Sequence, residues 1–306
     1  MQTGILMAFL AYLAYACSDA AAKALGGSLS VFEIGFFTSL VALVPALFAK
    51  RPDESWPSIF RPHRPALVLA RMASGTAGGI CAVIAFTSLP LAEAYALIFL
   101  TPLFVTVLSR MLLGETVGRG RWLALIGGLV GVLLVVRPGF RELSLGHLAG
   151  LGAAFCGAFT VILLRKLGPV EKRVTLVGAV LVGAVTVNGV LMIPTFVGPS
   201  VEMLPIILFG GLASGIAHLS IVMAARLAPA SRIAPTQYSQ ILWAAVIGAL
   251  FFAEFPDLLG LVGMSFVGFF GIMALAPDSP ADTFRRFRRP VRSRVVLDIG
   301  EPAARS

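Results

Sequence analysis

Residues 89–115 read LPLAEAYALIFLTPLFVTVLSRMLLGE, and residues 228–254 read APASRIAPTQYSQILWAAVIGALFFAE. At a constant offset of 139 and without a gap, Pro90 meets Pro229 and Glu115 meets Glu254. One residue of slippage later, Gly128 and Gly131 meet Gly268 and Gly271. Each stretch holds an apolar run of the roughly 20 residues that a helix needs to cross a bilayer. Two apolar helices can resemble each other by chance. The matched Pro and Glu at the two ends favour duplication instead.

The rest of the chain is as apolar as these stretches. Of 306 residues, 58% are apolar and 13% charged, with a mean hydropathy of +0.93. Soluble domains hold about 45–50% apolar and about 25% charged residues, so this chain lacks the polar surface to cover a globule. Its 32 Gly and 19 Pro follow no short repeat, which argues against collagen and against disorder. An all-α polytopic membrane protein remains. Apolar runs between charged or Pro/Gly-rich breaks predict ten transmembrane helices: 4–24, 31–49, 66–88, 91–112, 119–136, 145–164, 174–197, 204–226, 233–253 and 257–276. The loops between them leave no room for a soluble catalytic domain. The first span is not read as a signal peptide, because it lacks a basic start and Ala14-Tyr15-Ala16 before Cys17 is a poor cleavage site.

Five spans per copy is an odd number, so a second copy must enter the membrane from the opposite side. The chain then divides into two inverted-topology five-helix repeats, 1–143 and 144–276, followed by a basic tail, 277–306. Many secondary transporters have this architecture and bind substrate near the midplane between the halves.

The net charge of +9 marks orientation rather than nucleic acid. With a cytoplasmic N-terminus, the inward segments carry the Lys50–Arg64, Arg110–Arg121, Arg165–Arg173 and Arg226–Arg232 cations, and the tail adds seven arginines from Arg285 to Arg305. The outward segments hold Lys23, Arg137 and Arg141. Both termini are therefore expected on the cytoplasmic side of the inner membrane, with the tail against anionic lipid headgroups. Cys17, Cys81 and Cys156 are far apart in apolar runs and offer neither a disulfide framework nor a metal site.

Ser88–Ala94 (SLPLAEA), Phe99-Leu100-Thr101-Pro102-Leu103, Leu113-Gly114-Glu115 and Gly127–Val136 leading into Arg137-Pro138-Gly139 resemble the EamA-type drug/metabolite transporters. The second half repeats the theme in Ala228–Ser231, Pro235, Tyr238 and Phe252-Ala253-Glu254. The resemblance covers about residues 1–276. It implies a ten-helix, two-repeat carrier of a small molecule with no cofactor. Ser18–Lys23 (SDAAAK), Tyr238–Trp243 (YSQILW) and Glu254–Asp257 (EFPD) look like bacterial carriers of cofactor-type metabolites. Riboflavin uptake is the first expectation. An S-adenosylmethionine or amino-acid-type carrier, or an efflux pump, is the alternative.

Scarce polarity inside the spans marks the candidate substrate-binding residues. Asp19 and Lys23 lie four apart on one helical face, either at the outer mouth of the substrate path or as an intrahelical ion pair. Arg71 lies one turn into the third span, where it either holds an anion or snorkels to the interface. His218 is read as the one histidine in a span, suited to proton coupling or to an interhelical hydrogen bond; His63 and His147 are read as loop residues. Thr236, Ser239, Gln240 and Trp243 fall within about 100° of the ninth helical wheel. Gln240 both donates and accepts, and Trp243 offers a flat face and an N–H, which together suit a planar heterocycle. Tyr95, Phe99, Pro102, Thr106 and Ser109 share a face of the fourth span. Tyr238 falls on the other side of its wheel, but Pro235 three residues earlier can unwind that turn. Glu115 and Glu254 are read as interface residues that pair with neighbouring cations. Gly75/Gly79, Gly127/Gly131 and Gly211/Gly215 are spaced as close-packing pairs.

An intramembrane transferase is the rival from another class. It needs clustered carboxylates, a His–carboxylate pair or a metal set, and none of the three histidines has a carboxylate within five residues.

Overall fold

In the computed structural model the described residues are 2–48, 50, 61–113, 119–137, 142–167, 170–227 and 234–274. Among them there is no strand. The chain folds as α1 (Gln2–Leu25), α2 (Val31–Leu47), α3 (Pro65–Ser88), α4 (Leu91–Ile98), α5 (Thr101–Leu113) and α6 (Arg119–Val136). It continues as α7 (Leu145–Leu167), α8 (Arg173–Leu191), α9 (Leu204–Leu227), α10 (Ser239–Phe252) and α11 (Leu258–Ala274). Six stretches are long and apolar enough to cross a membrane, one of them running through α4 and α5. Four shorter apolar helices accompany them. Glu115 and the 277–306 tail lie outside the described residues.

Two of the expected spans are not continuous helices. The fourth opens at Phe99–Leu100 because Pro102 lacks an N–H and its ring crowds the carbonyl four residues back. Little backbone polarity is lost there. Phe99 N–H reaches Tyr95 O at 2.8 Å, Leu100 N–H reaches Leu97 O at 3.0 Å, and Thr101 Oγ1 donates to Ile98 O at 2.6 Å. Irregular backbone at membrane depth needs such internal satisfaction. The ninth span begins as a 3₁₀ turn, Ala234–Tyr238, which contains Pro235. The seventh ends at Leu191, short of residue 197, in a 3₁₀ turn at Ile193–Thr195 that carries Pro194.

α2 starts with a capping box. Ser30 N–H donates to Glu33 Oε2 at 3.0 Å and Glu33 N–H donates to Ser30 Oγ. Glu33 is fully buried, and its Oε1 also accepts the N–H groups of Val197 and Gly198, both at 3.0 Å. One carboxylate thus ties the start of α2 to the α8–α9 connection.

α1 and α2 pack on α9, α3 packs on α7 and α8, α2 packs on α8, and α6 packs on α11. The halves interleave rather than sit side by side. Gly131 and Gly263 make the α6–α11 approach possible: a Cβ at either would stand 2.8 Å from the other's carbonyl oxygen. On α9, Gly211 and Gly215 press on Val41 and Pro45 of α2. Gly79 faces open space, so Gly75/Gly79 is not a packing pair: Gly75 alone touches a neighbour, Val180. The main core gathers the end of α3, α4, α6, α10 and α11 around Phe86, Tyr95 and Phe99. The outside is apolar, with Phe48, Phe251 and Leu258 more than three-quarters exposed. Hydrocarbon, not water, suits such a surface.

Candidate functional site

Tyr95, on the last turns of α4, sits at the centre of the polar interior. Its hydroxyl donates to Asp19 Oδ2 of α1. Gln240, in the first turn of α10, lies beside the same hydroxyl. A three-member chain of polar contacts, Gln240–Tyr95–Asp19, therefore crosses three helices. Gln240 and Tyr95 are buried.

A column of rings runs beside it. Phe86 and Tyr95 are 5.1 Å apart and tilted, Tyr95 and Phe99 are stacked at 6.2 Å, and Phe99 and Tyr238 are stacked at 5.5 Å. The 3₁₀ turn brings Tyr238 into this column. In 3₁₀ geometry residues advance by about 120° rather than 100°, so a purely α-helical wheel misplaces it. Tyr238 also lies flat on α11, where a Cβ at Gly271 would stand 2.1 Å from its ring. A small cleft lined by Phe99, Pro102, Leu125, Gly128, Tyr238 and Phe270 among others opens onto the column from the α6–α11 side.

On α1, Tyr12, Tyr15 and Asp19 are spaced to share one face. The Tyr15 ring meets His218 of α9 edge-on at 5.2 Å and Tyr12 at 6.4 Å. Asp19, Tyr15 and His218 are deeply enclosed, yet each keeps a partly accessible surface. His218 Nδ1 bonds Ser214 O at 2.9 Å within its own helix rather than between helices. Arg71 does not snorkel. It is 9% exposed, donates to Leu176 O of α8, leaves its Nε without a partner, and lies within electrostatic reach of Tyr15 and His218.

The intrahelical Asp19–Lys23 ion pair is not made. The Lys23 ammonium turns to Glu254, just past α10, at 2.8 Å, and to the carbonyls of Leu89 at 2.6 Å and Phe86 at 3.4 Å. Glu254 Oε2 accepts the N–H of Leu91 at 2.9 Å. The α3–α4 junction, with its two carbonyls and one N–H, is closed by a lysine and a glutamate from two other elements.

Of the ninth-span stripe, Thr236 is buried and Ser239 Oγ donates to Thr236 O at 2.7 Å. Among the described residues Trp243 has no partner for its enclosed indole N–H and makes none of the ring contacts of the column. Thr106 and Ser109 bond back to the carbonyls of Pro102 and Val105. His147 is not a loop residue: it lies in the first turn of α7, buried, 3.1 Å from Glu93 of α4. Sequence spacing cannot show a pair 54 residues apart, and it likewise passes over Tyr15 and Phe86. The shared face of Tyr12, Tyr15 and Asp19 is the signal available for Tyr15. Among the described residues no group of three or more His, Cys, Asp or Glu is placed to hold a metal.

The model of the EamA-like transporter family matches residues 2–137. The chain is 28% identical over 265 residues to the pseudopaline exporter CntI of Pseudomonas aeruginosa (strain UCBPP-PA14), spanning 86% of this chain and 92% of that protein. It is 29% identical over 168 residues to a riboflavin transporter of Vibrio cholerae, spanning 55% of this chain and 56% of that one. It is 25% identical over 270 residues to an S-adenosylmethionine uptake transporter of Rickettsia felis, spanning 85% and 88%. A solved crystal structure aligns over 94% of this chain and 99% of its own at 17% identity with a TM-score of 0.63, a likeness of fold.

Proposed function

Because residues 2–137 belong to the EamA-like transporter family, we propose that the chain is a secondary transporter that carries a small organic metabolite across the cytoplasmic membrane by alternating access. In this reading ten spans form two inverted repeats, 1–143 and 144–276, with both termini cytoplasmic. The helix pairing supports the repeat. Matching the halves in order, α1–α9 and α2–α9 have their counterparts in α7–α3 and α8–α3, while α2–α8 and α6–α11 map onto themselves.

The observation that carries the reading is the Gln240–Tyr95–Asp19 chain, which joins the second half to the first inside the bundle. Carriers built from inverted repeats hold substrate between their halves near the midplane. The substrate site we assign is this chain with Phe99, Tyr238, Thr236 and Ser239 along its ring column, Trp243 as a free N–H donor, and His218 and Arg71 on the α9 and α3 walls. Lys23 is reassigned from substrate contact to closure of one end. Stacked rings and a free N–H suit a flat-ringed molecule. Riboflavin, the first expectation of the sequence, and S-adenosylmethionine both offer such a ring. Uptake, the direction named for the Rickettsia relative, is the direction we assign here. The relatives above are named as transporters, not enzymes, which supports transport over intramembrane chemistry.

Growth rescue tests the reading. Wild-type protein expressed in strains that cannot make riboflavin, or cannot make S-adenosylmethionine, restores growth at low external metabolite in one of them. Gln240→Ala at the same membrane level does not. Resistance to a toxic compound with no uptake phenotype places the direction outward.

A further inference from the structure

Among the described residues Asp19 is left without a cation. Lys23, one turn along α1, spends its ammonium on Glu254 and on the Leu89 and Phe86 carbonyls. The described residues make no ion pair with Asp19. The hydrogen-bond donor they give it is the Tyr95 hydroxyl, a neutral group. An ionised carboxylate at membrane depth is expensive and normally pairs with an opposite charge. Here Tyr95 meets it through its hydroxyl, with Phe86 against the Tyr95 ring, and Tyr15 lies within electrostatic reach. A carboxylate with aromatic side chains nearby suits an organic cation, because the charge attracts it and rings that turn a face to it add a cation–π contribution. A neutral flavin needs no such carboxylate.

We infer that Asp19 is the counter-ion of a positively charged group on the transported molecule, an ammonium or a sulfonium, so that the substrate class is an organic cation or zwitterion bearing a flat ring. The inference rests on the proposed transport site. Tyr95 donates to Asp19 and fixes the orientation of its carboxylate. Lys23 stays out of competition because Glu254 holds it.

The test is binding and uptake of two probes by the full chain, wild type, Asp19→Asn and Asp19→Glu, in proteoliposomes. S-adenosylmethionine carries a sulfonium and an ammonium, and riboflavin is neutral. Leaving a buried charge without its partner typically costs several kcal/mol. Affinity for S-adenosylmethionine therefore falls on the order of 100-fold or more in Asp19→Asn and is partly kept in Asp19→Glu. Thermal melting of the purified variants stays at the wild-type temperature. Equal S-adenosylmethionine affinity in wild type and Asp19→Asn overturns the inference. So does wild-type protein that takes up riboflavin and ignores S-adenosylmethionine, an outcome that leaves the transporter reading standing. Wild-type protein that moves neither probe overturns the inference together with the assigned substrate site.

Discussion

Tyr95 meets Asp19 and Gln240 with one hydroxyl and stacks between Phe86 and Phe99 with one ring. Tyr95→Phe keeps the ring column and removes the hydrogen bond to Asp19 together with the polar contact to Gln240. A hydrogen bond to a charged group is worth about 1.5–3 kcal/mol, so substrate affinity is expected to fall roughly 10- to 100-fold with normal protein levels, as read by a saturation curve of uptake. Phe99→Leu has the opposite profile: it keeps the polar chain and loses stacking on Tyr95 and Tyr238, and its effect should be smaller for a substrate without a flat ring. Much of this site is legible in the sequence because ionisable and amide groups inside apolar helices stand out. Asp19, Tyr95 and Gln240 are each visible that way. Their joining is not, because helical spacing gives the face a residue occupies and says nothing of which other helix meets it. The same gap explains Lys23. Four-residue spacing offers Asp19 as its partner, whereas the competing carboxylate, Glu254, lies 231 residues away.

The helix breaks are the part of the elements that governs the site. Pro102 and the Pro235 turn interrupt two spans at corresponding places in the halves, and each break leaves an aromatic side chain, Phe99 or Tyr238, in the same stack. The sequence carries the prolines. It does not say whether a proline kinks, unwinds or merely ends a helix, so Tyr238 falls on the wrong side of an unbroken wheel. Close approach between elements gives a sharper prediction. Gly131→Val drives two methyl groups into the α11 backbone near Gly263 and Val267. Overpacking costs about 1–3 kcal/mol, so melting in detergent should fall by several degrees. Gly79→Ala meets nothing within 4 Å, and replacing a mid-helix glycine there should hold or raise the melting temperature. Equal behaviour of the two variants would contradict the α6–α11 packing. Spacing alone groups Gly79 with Gly131, because a GxxxG pattern does not record which face has a neighbour.

At the scale of the molecule, Arg64 N–H to Glu171 and Arg71 to Leu176 O join the halves near one end, and another set of cross-half ties gathers at the other. Lys23–Glu254, Arg137–Asp257, Glu93–His147 and the Glu33 contacts to Val197 and Gly198 all join an element of the first half to one of the second. In the proposed orientation this end faces outward, and alternating access requires it to part. With Cys17, Cys81 and Cys156 replaced by alanine, Lys23→Cys with Glu254→Cys should be bridged by a reducible bis-thiol cross-linker that spans the two lost side chains, stopping transport until it is reduced. Full transport in the cross-linked state would contradict an opening at this end. Ten apolar stretches and their charge bias are readable without coordinates, because hydrocarbon imposes length and composition on each span separately. The interleaving of the halves is not, because it depends on contacts between spans.

The central claim is that a substrate is carried between the halves at the Gln240–Tyr95–Asp19 chain. Its most direct test is uptake of labelled riboflavin and S-adenosylmethionine into proteoliposomes holding wild-type protein, Gln240→Ala or Trp243→Ala. Saturable uptake of one label by wild type, with both variants below about a tenth of that rate at equal reconstitution, as expected for lost contacts of about 1.4 kcal/mol or more, is the predicted result. Wild-type rates in both variants would contradict it.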